Sequence, residues 1–268
     1  MKKIFTNITI FYFLFLLLTL MVSIALLIFL FDYFFVSPTC GCCAVDGTAI
    51  GQLVLSSLLP LKARRLSKLE REQFVVPSDL REILVGLFLG DLHAEKRSIN
   101  TRLKFGQGVI HKEYLLHLYE MFKIFSSATP NIINRLPHRV TGKIYSEICF
   151  NTYSLPCFNE FHNLFYPNRS KVVPLNIGEL LTPLSLAYWL ADDGSFEQIN
   201  RGVKIATNCF TMDEVKLLIS VLSGKFNLNC TIQHDNGFVL RISAKSLPHL
   251  QVLLKDTIPP MMLHKIGL

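Results

Sequence analysis

Two apolar runs that each end on an acid constrain this chain more than any other feature. Residues 181–197, LTPLSLAYWLADDGSFE, form a helix-like run that stops on Asp192, Asp193 and Gly194, and residues 83–95, ILVGLFLGDLHAE, form another that stops on Asp91. Segments this hydrophobic belong inside a fold. Yet each delivers a carboxylate to its C-terminal end, where the helix macrodipole is already negative. Folding alone would not put an acid there. Two such ends side by side would set like charges close together, which becomes tolerable when a divalent cation sits between them.

Charge is unevenly spread. Against 27 Lys and Arg and 20 Asp and Glu in the chain, residues 1–60 hold only Lys2, Lys3, Asp32 and Asp46, so the formal net charge of +7 lies in residues 61–268. That excess points to a polyanion, either nucleic acid or an anionic membrane surface. Residues 8–31 carry no charge and are long enough to cross a bilayer as one helix. Two readings of that run stay open, a membrane anchor or a translated leader outside the fold. The seven cysteines are an odd count without a regular framework, which argues against a disulfide scaffold. Cys40, Cys42 and Cys43 lack a second pair at zinc-site spacing, and Cys149, Cys157, Cys209 and Cys230 read as small buried residues.

From Leu61 the composition changes to LKARRLSKLEREQF, a solvated entry segment. Ser78 is placed to cap a helix carrying Ile83, Leu84 and Leu87, on which Gly86 and Gly90 share one face. Glycine costs about 1 kcal/mol against alanine inside a helix, so a pair at this spacing suggests that another backbone comes close. Residues 102–105 alternate as a strand with Arg102 and Lys104 on one face, and 111–125 repeat apolar residues at helical spacing. Residues 131–140 and 143–151 read as a hairpin around Thr141-Gly142, with Ile144, Ile148 and Phe150 on one face, and 157–166 as a short helix.

The second half repeats this order. Residues 183–191 form the helix and 196–199 and 203–208 the strands, and Thr211 opens a helix with Glu214 three residues on, a capping box. A hairpin of 230–234 and 238–243 turns at Asn236-Gly237, and 247–254 is the last helix. The expected fold is therefore α+β: two pseudo-twofold-related αββαββα units, residues 61–174 and 175–268, after an apolar N-terminal helix and linker over 1–60. Their antiparallel sheets would form one saddle with strands suited to the major groove of DNA. Arg102, Lys104, Arg139, Lys143, Lys204 and Arg241 are candidates for its nucleic-acid face.

The run 84–92, LVGLFLGDL, and the run 186–194, LAYWLADDG, resemble the motifs of LAGLIDADG homing endonucleases of the single-chain, two-motif, organellar intron-encoded type. FGQGVIHKEYL, TNCFTMDEV and IPPMMLHK strengthen the resemblance, which covers residues 66–268. It implies a monomer that cuts a long site in double-stranded DNA by Mg²⁺-dependent phosphodiester hydrolysis, in an organelle, with the mitochondrion ahead of the chloroplast. It also implies roles for particular residues. Asp91 is the first motif's metal-binding acid. For the second, aligning small residues selects Asp192, whereas the family pattern of an acid directly before glycine selects Asp193, the register adopted. Lys171 and Lys265 match the family's basic residues near the scissile phosphates, with His264 a rival to Lys265, and Gln107 and Asn208 match its water-arranging polar residues. The motifs depart from the pattern at Leu92, Leu89 and Ala191. A second reading keeps the fold as an intron RNA maturase, which needs no intact acids. A third, a membrane-anchored module, fits less well, because the basic residues are scattered over strands and not clustered beside residues 8–31.

Overall fold

The computed structural model describes residues 65–137, 142–235 and 237–268. The charge-free run at 8–31, the cysteine cluster at 40–43, the linker to Pro60, Arg139, Thr141 and Asn236 lie outside the described residues. The first half comprises α1 (Lys68–Glu72), α2 (Ser78–Leu89), β1 (His93–Lys96), β2 (Thr101–Gly108), α3 (Lys112–Phe122), β3 (Asn131–Asn134), β4 (Ser146–Asn151) and α4 (Asn159–Phe165). The second comprises α5 (Ile177–Leu180), α6 (Pro183–Asp193), β5 (Gly194–Glu197), β6 (Gly202–Ala206), α7 (Met212–Phe226), β7 (Cys230–His234), β8 (Phe238–Ile242) and α8 (Leu247–Leu254). A 3₁₀ segment, Pro260–Ile266, closes the chain.

Two antiparallel four-stranded sheets have the same order, β1-β2-β4-β3 and β5-β6-β8-β7. The repeated sequence pattern thus becomes a repeated topology. One sheet face is apolar and covered: Thr101, Leu103 and Phe105 are buried along β2, while Arg102 and Lys104 between them lie on the other face. Phe105 stacks on Phe150 of β4 with ring centroids 4.4 Å apart.

Helices α2 and α6 form the centre. Each buries an unbroken run, Ile83–Leu89 in one and Ser185–Ala191 in the other, and a helix apolar all round must be enclosed on every side. Thr182 caps α6 through the Ser185 amide, and Pro183 opens its first turn, where the missing N–H costs nothing. Thr211 and Glu214 form the expected capping box of α7.

Several local expectations are corrected. Ser78 does not cap α2. Pro77 holds that position without a side-chain bond, and the Ser78 hydroxyl donates to Asp79 Oδ1 at 3.1 Å. The strands β5 and β6 begin and end earlier than expected, because the chain leaves α6 directly into β5 and turns at Ile199, which is exposed. The hairpin of β3 and β4 pairs Asn134 with Ser146, so Ile144 lies beyond the ladder and is exposed instead of facing the core, as is Lys143. Cys149 is buried, but Cys209 is exposed in the loop after β6. Among the described residues no helix is long and apolar enough to cross a membrane.

Candidate active site

The contact between α2 and α6 depends on missing side chains. A Cβ on Gly86 would stand 2.0 Å from the Ser185 carbonyl oxygen and 3.0 Å from the Trp189 amide nitrogen, and one on Gly90 would stand 2.6 Å from the Cβ of Asp192. Backbone therefore meets backbone, and the two acid-bearing ends converge.

They end differently. Asp193 is the last residue of α6, whereas α2 stops at Leu89 and Asp91 follows its cap, Gly90. Outside the helical ladder, the Asp91 N–H needs another acceptor, and Asp192 Oδ2 of the opposite helix takes it at 3.1 Å. The Tyr114 hydroxyl of α3 donates to Asp192 Oδ1 at 2.9 Å. Gly194 is required where it stands, since a Cβ would meet the Leu190 carbonyl oxygen at 2.4 Å. Leu92, its motif counterpart, is free of that constraint and is buried instead.

Two lysines close the cluster in matching positions. Lys171 Nζ donates to the Gly90 carbonyl, and Lys265 Nζ donates to the Asp192 carbonyl at 2.8 Å, so each contacts the residue directly before an acid. By that relation Asp91 corresponds to Asp193, and Asp192 is the interface residue equivalent to Gly90. His264 has its Nδ1 3.1 Å from the Met261 carbonyl oxygen. Gln107 Nε2 donates to Asp91 Oδ2 at 3.0 Å.

The electrostatics record like charge in confined space. Asp192 and Asp193 are half-buried as residues, but their carboxyls are surrounded closely enough that desolvation dominates both. Burial and then the Asp91 charge push Asp193 up to about 7, against the pull of Lys171 and Lys265. Burial, Asp91 and Asp193 raise Asp192 well above the carboxylate range. Burial lowers Lys171 and Lys265, and the three acids partly offset this. Among the described residues no group of three or more His, Cys, Asp or Glu is arranged to hold a metal ion. A cation here would find two carboxylates, Asp91 and Asp193, whose mutual repulsion it would relieve, with further oxygens from backbone, water or ligand, the donor type Mg²⁺ prefers.

Other expected residues have partners of their own. Asn208 Nδ2 donates to the Asp235 carbonyl at 2.7 Å, against the hairpin that turns at Gly237. The next residue, Cys209, lies within the field of Lys171 and Asp193. Of the basic strand residues, Lys104 is exposed on β2, Arg102 pairs with Glu95, and Lys204 and Arg241 pair with Glu197. Tyr114 and His111 go unnoticed in sequence. Tyr114 sits in the apolar stripe of α3, and His111 lies within the fields of Lys265, His264 and Asp91 while burial lowers its pKa. Tyr114→Phe is expected to cost about 1–3 kcal/mol in urea unfolding, because it strips a donor from an enclosed carboxyl. An unchanged midpoint would show that this bond contributes nothing.

Comparison with known proteins agrees with this architecture. A model described as the LAGLIDADG DNA endonuclease family matches residues 81–250. Among curated relatives, the cytochrome b mRNA maturase bI2 of Debaryomyces hansenii is 38% identical over 197 residues, covering 70% of this chain and 74% of that protein. The intron-encoded endonuclease ai4 of Dictyostelium discoideum is 35% identical over 159 residues, 56% of this chain and 99% of that protein. Among solved structures, the homing endonuclease I-WcaI bound to its DNA recognition sequence superposes with a TM-score of 0.70 at 28% identity, covering 77% of this chain and 95% of that one. The chain, with its two acid-ended helices packed glycine to backbone between two like-ordered sheets, belongs to the LAGLIDADG DNA endonuclease family.

Proposed function

We propose that the chain is a sequence-specific endonuclease that makes metal-dependent double-strand breaks in DNA at an intron insertion site. One observation carries this reading: two acids, Asp91 and Asp193, stand at converging helix ends, each beside a lysine that contacts the preceding carbonyl. Asp91 and Asp193 would hold Mg²⁺. When bound, the ion neutralises the two carboxylates and lowers the pKa of a coordinated water. The Lys171 and Lys265 ammoniums would stabilise charge developing on phosphate oxygens, and the Gln107 amide, which donates to Asp91 Oδ2, would hold that carboxylate in one orientation. Arg102, Lys104, Lys143, Lys204 and Arg241 supply the cationic face for the duplex, with Arg139 assigned to the same role from sequence.

A second reading is favoured by one comparison. The Debaryomyces relative is named a maturase, and an intron RNA would meet the same basic faces by shape and backbone contacts. The relatives named for cytochrome b mRNA and for an intron also support an organellar setting, with the mitochondrion ahead of the chloroplast.

Incubating the full chain with a duplex spanning the host gene's intronless insertion site tests the two. The endonuclease reading expects double-strand cuts with short 3′ overhangs in Mg²⁺ and none in EDTA. Intact duplex under both conditions, with the chain promoting splicing of its intron, would assign it to RNA instead.

A further inference from the structure

Two carboxylates recur at the same place in the two halves, outside the acid cluster. Glu95 lies four residues after Asp91 on β1, and Glu197 four residues after Asp193 on β5. Each gathers two cations. Glu95 Oε1 accepts from Arg97 Nε at 2.5 Å, and Oε2 accepts from Arg102, its cross-strand partner on β2. Glu197 Oε1 accepts from Lys204 Nζ of β6, and Oε2 from Arg241 Nε of β8, both at 2.8 Å. Arg102 and Lys204 each stand eleven residues after their acid, but the registers differ: Arg102 is paired directly with Glu95, whereas Lys204 is paired with Ser195 and reaches Glu197 diagonally.

The second cluster has a built path. In the order β5-β6-β8, Arg241 must cross β6 to reach Glu197, and the residue it crosses is Gly202, where a Cβ would stand 2.7 Å from Arg241 Nη2. Nη2 also donates to the Asn200 carbonyl at 3.3 Å. Exposed ion pairs are worth little, but the side chains of Arg241 and Glu197 are each only 18% exposed, so water competes weakly for them. Hydrogen bonds from Arg241 and Lys204 hold the Glu197 carboxyl below its usual range, and Arg102 and Arg97 do the same for Glu95.

Free on a strand, these cations would seek phosphates, which needs only a charge nearby and carries no sequence information. Reading a base edge is more demanding, because a guanidinium must hold its plane to meet guanine O6 and N7 together. We propose that Glu95 and Glu197 are specificity residues of the nucleic-acid face, which hold Arg102, Lys204 and Arg241 in fixed orientations toward base edges and withhold them from phosphates. The inference rests on the reading of this face as a surface for duplex DNA.

The test uses the full chain and the variants Glu95→Gln and Glu197→Gln, with a random-sequence duplex over a salt series and with the insertion-site duplex. Each variant adds one net charge. Random-duplex affinity at low salt should rise about threefold to tenfold, the slope of log affinity against log salt should steepen by about one, and preference for the insertion site should fall about tenfold. In a Lys204→Gln/Arg241→Gln background the Glu197→Gln exchange should change nothing further, because the carboxylate acts through those cations. An unchanged slope and unchanged random-duplex affinity overturn the proposal. So does an equal effect of Glu197→Gln with and without the cations. A wild-type chain with no preferred duplex, whose variants still show the steeper slope, would sink the endonuclease reading and leave the restraint on the cations standing.

Discussion

Asp91→Asn and Asp193→Asn are each expected to lower Mg²⁺-dependent cutting about a thousandfold while DNA affinity stays near that of the wild type. The loss follows from removing charge where a cation and a developing anion must be balanced. Binding should persist if, as proposed, the duplex is held by cations of the sheets, away from the helix ends, since affinity for a duplex comes mainly from its backbone charge. The same exchange at Asp193 should stabilise the metal-free protein. Its carboxyl titrates near 7 in the fold, above the ordinary aspartate value near 4, so the stability tied to the neutral form is complete below about pH 4 and lost as pH rises through about 7. Asn keeps the neutral form at every pH. After allowance for the partial exposure of Asp193, the gain of the variant over wild type at pH 8 is about 2 kcal/mol, or about 4–8 °C in Tm, and it shrinks toward zero at pH 4. Cutting by either variant at the wild-type rate would refute the assigned roles. A Tm difference that ignores pH would refute the crowded carboxyl.

The features legible in the sequence are those fixed by burial. A run such as Ile83–Leu89 has to be enclosed, and a glycine pair on one helix face makes sense only against another backbone, so the central helix pair follows from patterning alone. The identity of the second acid does not. Small-residue alignment and the acid-glycine pattern disagree there, and the lysine contacts to the Gly90 and Asp192 carbonyls, which relate Asp91 to Asp193, exist only in three dimensions. Asn208 was legible as a polar residue near a strand end, but β6 stops at Ala206, and the bond from its amide to the Asp235 carbonyl is not encoded in the strand alternation. Tyr114 reads as core because a tyrosine on an apolar stripe usually is core, and nothing local announces a carboxyl at its hydroxyl. The basic strand residues were legible as cations, but not their counter-ions. The Arg241–Glu197 bond spans three strands through a gap left by Gly202, a relation no one-dimensional alternation encodes.

The same exchange, glycine to alanine, is expected to act with opposite signs at two helical positions. Gly224 lies in α7, and beyond its own neighbours and helix backbone nothing comes within 4 Å of where its Cβ would be, so Gly224→Ala should stabilise the chain by about 1 kcal/mol through helix propensity. Gly86→Ala gains the same propensity and loses far more. Its Cβ would meet the Ser185 carbonyl oxygen at 2.0 Å and the Ser185 carbonyl carbon at 2.9 Å, and these are backbone atoms in the first turn of α6, held by the Thr182 cap and unable to rotate aside. Relief requires α2 and α6 to move apart, which opens the packing around Trp189 and Phe88, both fully buried. A net loss of about 3 kcal/mol is expected in urea unfolding. Because the bond from the Asp91 amide to Asp192 spans the same helix pair, the folded fraction of Gly86→Ala should also cut DNA more slowly than wild type. Equal and positive shifts for the two variants would mean that the helices do not touch at Gly86, and the convergence of Asp91 and Asp193 would lose its structural cause.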